Sequence, residues 1–324
     1  GPSLTYSIAG GADAAKFTIN CGSGVLSFIS APDYETPTDA NADNSYDVVV
    51  QVSDGSLTDT QAIAVTVTDV NDVAPAITSD GGGASAAVNV AENATAVTTV
   101  TATDVDGPSL TYSIAGGTDA AKFTIDASTG VLSFVTAPDY EAPTDAAGNN
   151  VYDVTAQDSD GVLTDSQSLA VTVTDVNDVA PAITSDGGGA SAAVNVAENA
   201  TAVTTVTATD VDGPSLTYSI AGGTDAAKFT IDASTGVLSF MAAPDYEAPT
   251  DAGGNNVYDV VVQVSDGALT DSQALAVTVT DVNDNAPVIT SDGGGVNAAV
   301  SVAENSTAVT TVTATDVDGP SLTY

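Results

Sequence analysis

The chain has 324 residues, 43 of them Asp or Glu against three Lys, for a formal net charge of −40. So strong a negative field excludes nucleic acid, which needs a basic stripe, and disfavours docking on an anionic membrane surface. A hydrophobic content of 43% in regular alternation speaks against disorder, and the single cysteine, Cys21, leaves no intrachain disulfide.

The hexamer GPSLTY stands at 1–6 and returns at 107–112, 213–218 and 319–324, a step of 106 residues. AAKFTI, APDYE, AVTVTDVND and TSDGGG recur at the same step, without insertion or deletion. Such a period is too long for a solenoid repeat and is the size of one small domain with its own core. The spacing predicts a partial repeat at 1–72, complete repeats at 73–178 and 179–284, and a partial repeat of N-terminal strands at 285–324. Residues 285–318 and 1–72 together supply one whole repeat, so the sequence is expected to be a window taken out of phase from a periodic array.

In the 73–178 copy, an edge segment is expected near PAIT. The β-branched runs 86–92 (AAVNVAE) and 97–103 (VTTVTAT) predict two strands. Leu110, Tyr112 and Ile114 alternate with polar neighbours, and Phe123 with Ile125 and Leu132 with Phe134 do the same. Tyr152, Val154 and Ala156 share one face, as do Leu169, Val171 and Val173. Period-two alternation punctuated by Gly, Pro, Asp and Asn marks half-buried strands. About seven strands in a hundred residues predict an all-β fold, a seven-stranded immunoglobulin-like Greek-key sandwich repeated in tandem. TSDGGG reads as a flexible loop, and Asp59, Asp165 and Asp271 read as turn residues.

Acidic residues cluster at strand ends and loops: Asp104 and Asp106 in DVD, Asp139 and Glu141 in DYE, and Asp175, Asn177 and Asp178 in DVND. Glu92 lies in AEN and Asp160 in DSDG. Crowded carboxylates repel unless a cation neutralises them, and an all-oxygen set suits a hard cation such as calcium. With no His and one Cys, zinc and copper lack ligands. Neither a nucleophile–base pair nor an acid–base couple can be assembled, so no catalytic or cofactor-binding residue is assigned and an enzyme is not expected.

AEN, DVD, DYE and DVND, in that order and repeated, resemble the cadherin repeat over essentially the whole chain. The DAAKFTID…TG phrasing is similar to the cadherin-like repeats of large bacterial surface adhesins. The resemblance implies calcium, about two to three ions, at each junction between successive repeats. It assigns Asp33, Glu35, Asp69, Asn71, Asp72, Asp104, Asp106 and Asp160 to the first junction. The middle junction takes Glu92, Asp139, Glu141, Asp175, Asn177, Asp178, Asp210, Asp212 and Asp266. The third takes Glu198, Asp245, Glu247, Asp281, Asn283, Asp284, Asp316 and Asp318. The Asn that closes the family's linker motif is present as Asn285, but Val73 and Val179 stand in the earlier linkers.

The implied function is that of an extracellular, calcium-rigidified spacer on a bacterial cell surface, projecting an adhesin's distal binding tip. Its partners would be calcium and further repeats of the same chain, with no nucleic acid and no direct membrane insertion. An alternative is a self-assembling extracellular filament built through homotypic contacts between repeats.

Overall fold

A computed structural model describes residues 3–107, 109–213, 215–319 and 322–324. Gly1 and Pro2 of the opening hexamer, Pro108, Pro214, Pro320 and Ser321 lie outside the described residues. The chain divides into two compact units, Gly1–Asp175 and Val176–Tyr324. Every sheet in both is built from the alternating segments, and helical geometry among the described residues is confined to three-residue 3-10 turns.

In the first unit, one sheet runs in the order Thr111–Gly116, Val151–Ser159, Thr164–Thr174, Ser85–Ala91. Three of these strands are antiparallel neighbours; Ser85–Ala91 joins the edge in parallel, with Ser85 opposite Ser168 and Ala91 opposite Thr174. The facing sheet has the order Phe123–Ile125, Val131–Phe134, Ala96–Thr99, all antiparallel. Between the sheets lie Val100, Leu132, Val154, Leu169, Val171 and Val173, the inward half of each alternation. Tyr152 reaches across the core: its ring meets Phe134 edge-on at 5.2 Å, and its hydroxyl accepts the Thr144 N–H at 3.1 Å. The all-β, immunoglobulin-like sandwich expected from the alternation is what forms.

The 97–103 run forms two strands, not one. After Ala96–Thr99 the chain changes partners: Val100 donates its N–H to Gly130 at 2.8 Å, and Ala102–Thr103 then pairs with Ala76–Ile77. Position 130 must be glycine, because its φ is +71° and an added Cβ would lie 2.1 Å from the Val100 carbonyl oxygen.

Two loop expectations are corrected. Asp165 lies inside Thr164–Thr174, where its carboxylate accepts the Ile77 N–H at 2.9 Å; Asp271 does the same for Ile183, and Asp59 lies in Thr58–Thr66. The TSDGGG loop is fastened from within: buried Gln167 donates to the carbonyls of Ser79 and Gly83.

Nearer the N-terminus, Thr5–Gly10, Ser45–Ser53 and Thr58–Thr66 form a three-stranded sheet, faced by the pair Phe17–Ile19 and Leu26–Phe28. Among the described residues no fourth strand pairs with Thr58–Thr66, and Ile63, Val65 and Val67 are half-buried.

The second unit repeats the complete sandwich. Its four-stranded sheet runs Ser191–Ala197, Thr270–Thr280, Val257–Ser265, Thr217–Gly222, and its three-stranded sheet Ala202–Thr205, Val237–Phe240, Phe229–Ile231. Beyond Thr280, the short pair Val288–Ile289 and Ala314–Thr315 is the remaining β-structure among the described residues.

Candidate metal centres

The acidic motifs sit where strands end. In the first unit, DYE precedes Ser45–Ser53, Asp69 follows Thr58–Thr66, and DVD follows Ala102–Thr103. Carboxylate oxygens of Glu35, Asp69 and Asp106 come within 4.8 Å of one another. Asp106 is oriented by the backbone: its Oδ2 accepts the N–H groups of Asp72 and Val73 at 2.9 and 2.8 Å, while its own N–H goes to Asp104 at 2.9 Å. Asp160 is likewise held by one oxygen, which takes the N–H groups of Val162 and Leu163, both at 2.6 Å. Asp33 lies at the exposed rim, accepting from the Thr36 N–H.

In Asp104, Asp106 and Asp160 one carboxylate oxygen accepts backbone N–H groups and the other is buried without a hydrogen-bond partner. Glu35 Oε1, Asn71 Oδ1, Asp104 Oδ2, Asp106 Oδ1 and Asp160 Oδ2 are buried oxygens with no hydrogen-bond partner. Glu35 feels the crowding: its own backbone N–H lowers its pKa, but burial and the nearby Asp69 and Asp106 carboxylates hold it above its ordinary value. At Asp160, burial raises the pKa, and the Val162 and Leu163 N–H groups with the Asn71 side chain more than offset it, so the net shift is downward. Converging oxygens with unsatisfied lone pairs and no cationic side chain suit a hard divalent cation.

The same architecture recurs in the second unit. Glu247, Asp281 and Asp318 lie within 4.8 Å of one another, as do Glu198, Asp245 and Glu247. Buried Glu198 accepts the Tyr246 and Val282 N–H groups, each at 2.8 Å. Burial raises the pKa of Asp281, and the charges of Asp318, Glu198, Asp284 and Asp316 push it further. Asn285 donates its side-chain N–H groups to Asp284, Asp318 and Glu247, and Asn199 holds the other Asp284 oxygen at 2.6 Å. Asp316 accepts the Asp318 N–H at 3.2 Å, and Asn283 is exposed in the linker.

The residues of the middle set fall in both units. In the first, Glu92, Asp139 and Glu141 converge within 4.8 Å, and Glu92 accepts the Tyr140 N–H at 2.7 Å; Asp175 is its last residue and is exposed. In the second, Asp212 accepts the N–H groups of Asp178 and Val179 and donates to Asp210. Asp266 there takes the Ala268 and Leu269 N–H groups and a bond from Asn177.

Sequence reasoning missed a supporting set. Buried Asp119 accepts the N–H groups of Ala146 and Asp153 at 2.7 and 3.0 Å, and buried Asp145 collects those of Ala147, Asn149 and Asn150. Asn150, at φ 61°, then donates its side chain to the Tyr140 carbonyl at 2.9 Å. These contacts pin the loop that carries DYE. Their only sequence signal is the return of the same acids at Asp13, Asp39, Asp225 and Asp251.

The Cadherin domain family profile matches residues 86–174 and 192–280. Human protocadherin Fat 1 is 30% identical over 329 residues, covering 98% of this chain but 7% of its own length. Cadherin-16 of Oryctolagus cuniculus is 36% identical over 182 residues, covering 52% of this chain and 21% of itself. The chain thus spans a small fraction of these relatives. Among solved structures, protocadherin gammaB7 EC3-6 superposes with a TM-score of 0.63 at 26% identity, covering 85% of this chain and 67% of that one. Mouse cadherin-23 EC22-24 gives 0.58 at 25%, covering 86% and 87%. With two matched domains spanning more than half its length and a sandwich of the same kind, the chain belongs to the cadherin family.

Proposed function

We propose that the acidic sets are calcium sites and that the chain is a calcium-stiffened extracellular spacer. The repeats run 1–72, 73–178, 179–284 and 285–324, and each linker with its flanking loops forms one junction. The observation that carries this reading is the set of buried, unpartnered oxygens on Glu35, Asn71, Asp104, Asp106 and Asp160. Calcium, bound there, supplies the positive charge that lets those carboxylates stay close. Asp104, Asp106 and Asp160, each set by backbone N–H groups or its neighbour, face the linker, while Glu35 and Asp69 approach from the preceding repeat. Joining ligands from two repeats through one ionic cluster resists bending at the linker; leaving the carboxylates bare turns the linker into a hinge.

The third set, Glu198, Asp245, Glu247, Asp281, Asn283, Asp284, Asp316 and Asp318, acts in the same way, and so do the residues of the middle set. Each junction takes about two to three ions, the range that its carboxylate charge and oxygen count support. The spacer belongs to a surface adhesin whose binding tip lies elsewhere. The DAAKFTID…TG phrasing supports a bacterial surface, and its family membership supports an adhesive, non-enzymatic role.

Calorimetric titration of the full chain with calcium tests the reading. Saturable binding of about two to three ions per junction is expected. Heats no larger than dilution up to millimolar calcium would remove the proposal and leave the acidic sets as solvated loops.

A further inference from the structure

Every cationic side chain of this protein stands at the same groove. Lys16, Lys122 and Lys228 are its three basic residues, and they line cavities of about 340, 360 and 450 Å³ respectively, each bordered by the segment that leads into DYE. Among 43 acids, a surface lysine is expected to find a carboxylate partner. Yet among the described residues no ion pair joins any of the three to an acid. Lys122 and Lys228 are exposed and Lys16 is half-buried.

The groove is made by the backbone. The turn Ala120–Lys122 sets the lysine at the start of Phe123–Ile125, and the Lys122 carbonyl accepts the Val135 N–H at 2.8 Å. The chain leaving Val131–Phe134 therefore passes beside the lysine. Pro138 is buried, and its carbonyl is held by the Asn93 N–H at 2.9 Å. Two edge-on rings, Phe134 and Tyr152, lie at the bottom, 3% and 1% exposed. Between repeats the lysine, the rings and the proline are constant while the rim changes. Val135 and Thr136 are Ile29 and Ser30 in one copy, and Met241 and Ala242 in the other.

We propose that each groove binds a small monocarboxylate with an aromatic or aliphatic body. The carboxylate meets the lysine ammonium, and the body lies against Phe134, Pro138 and Tyr152 or their counterparts. One unpaired ammonium selects a carboxylate, and the apolar walls reward an apolar body. The rest of the chain, at −40, sets the charge limit. One negative charge is answered by the lysine, whereas each further charge meets a repulsive field that salt screens over only ~8 Å. The ligand is therefore a monoanion and not an acidic polymer. A small open groove with a single ionic contact gives weak binding, with dissociation constants in the millimolar range. Lys122, Phe134 and Tyr152 belong to none of the acidic sets, so the proposal stands without the calcium reading.

The test uses the full chain, isotope-labelled at phenylalanine and kept in chelator, titrated with phenylacetate and separately with its neutral counterpart phenylacetamide. Followed by nuclear magnetic resonance, Phe28, Phe134 and Phe240 report from the three grooves. All three signals are expected to shift with phenylacetate along saturating curves, and to respond to phenylacetamide at least about tenfold more weakly. Lys122→Met keeps an apolar stem and removes the charge at an exposed position. It should weaken the response at Phe134 at least about tenfold, while Phe28 and Phe240 in the same molecule respond as in the parent. Shifts with phenylacetate that never saturate would overturn the proposal. So would equal responses to the acid and the amide, or a Phe134 response that survives Lys122→Met undiminished.

Discussion

Asn285 grips both oxygens of Asp318, donating its backbone N–H to one at 2.9 Å and its side-chain Nδ2 to the other at 3.0 Å. At the equivalent places Val73 and Val179 keep only the backbone bond, to Asp106 and Asp212, each at 2.8 Å. An amide brings a neutral oxygen ligand to a site already rich in carboxylates and is held in place by its own N–H groups. The third junction is therefore expected to bind calcium more tightly than the first. Asn285→Val should lower its affinity about tenfold, or ~1.4 kcal/mol, and Val73→Asn should raise that of the first junction by a similar factor. Calcium titrations of the two variants check the pair; equal affinities in all forms would show that the amide takes no part.

Asp69 separates ligation from scaffolding, because its carboxylate meets those of Glu35 and Asp106 without a neutralising side chain. Asp69→Asn removes one negative charge from the cluster. In chelator the variant should melt slightly higher than the parent, since like charges have been thinned. In calcium it should melt lower and bind at least about tenfold more weakly. Thermal unfolding in the two buffers reads both signs, and a shift in the same direction in both would contradict the ligand role.

The third prediction concerns a buried carboxylate in the complete repeat of the first unit. Asp158 faces Asp165 across adjacent strands, is fully buried, and has no partner for either oxygen. Burial, and the charges of Asp165 and Asp104, raise its pKa. The corresponding residues are Val52 and Val264. Asp158→Val should stabilise that repeat by about 1–3 kcal/mol, the cost of leaving a polar group buried and unpaired. Chemical denaturation of the full chain should show the unfolding step of that repeat move to higher denaturant; no change would mean that Asp158 finds a partner in solution.

Acid sensitivity should differ between repeats at one turn. The Ser128 hydroxyl and the Thr129 and Ser128 N–H groups hold the Asp126 carboxyl at about 2, and the Asp232 carboxyl is held at about 2 by Ser234 and Thr235. A depressed carboxylate contributes stability that is fully present above its unfolded value of 3.8 and is lost as pH falls through about 2. In the first sheet's repeat Asn20 makes the same turn, accepting the Gly22 and Ser23 N–H groups at 3.0 Å without any titration. Asp126→Asn should therefore flatten the acid-unfolding curve between about pH 4 and pH 2. A curve that parallels the parent would contradict the assignment.

Legibility in the sequence followed locality. The alternation of Leu169, Val171 and Val173 marks a strand because period two is a property of neighbours along the chain. The acidic motifs were legible because the 106-residue step repeats them in one order, and the structure brings Glu35 together with Asp106 across 71 positions. The break after Thr99 was not legible, since it depends on Gly130 capturing the Val100 N–H from a distant turn. Nor was the strand position of Asp165, whose carboxylate answers to the Ile77 N–H 88 residues away. Asp119 and Asp145 were missed because their burial depends on backbone N–H groups that only the folded loop supplies.

The most direct test of the spacer account is small-angle scattering of the chain, at a concentration where it sediments as one copy, in millimolar calcium and again in excess chelator. The account predicts a stiff, extended profile in calcium that becomes flexible or more compact when the ion is removed. Superimposable profiles in the two buffers would contradict it, because the junction carboxylates would then have no part in setting how successive repeats are held.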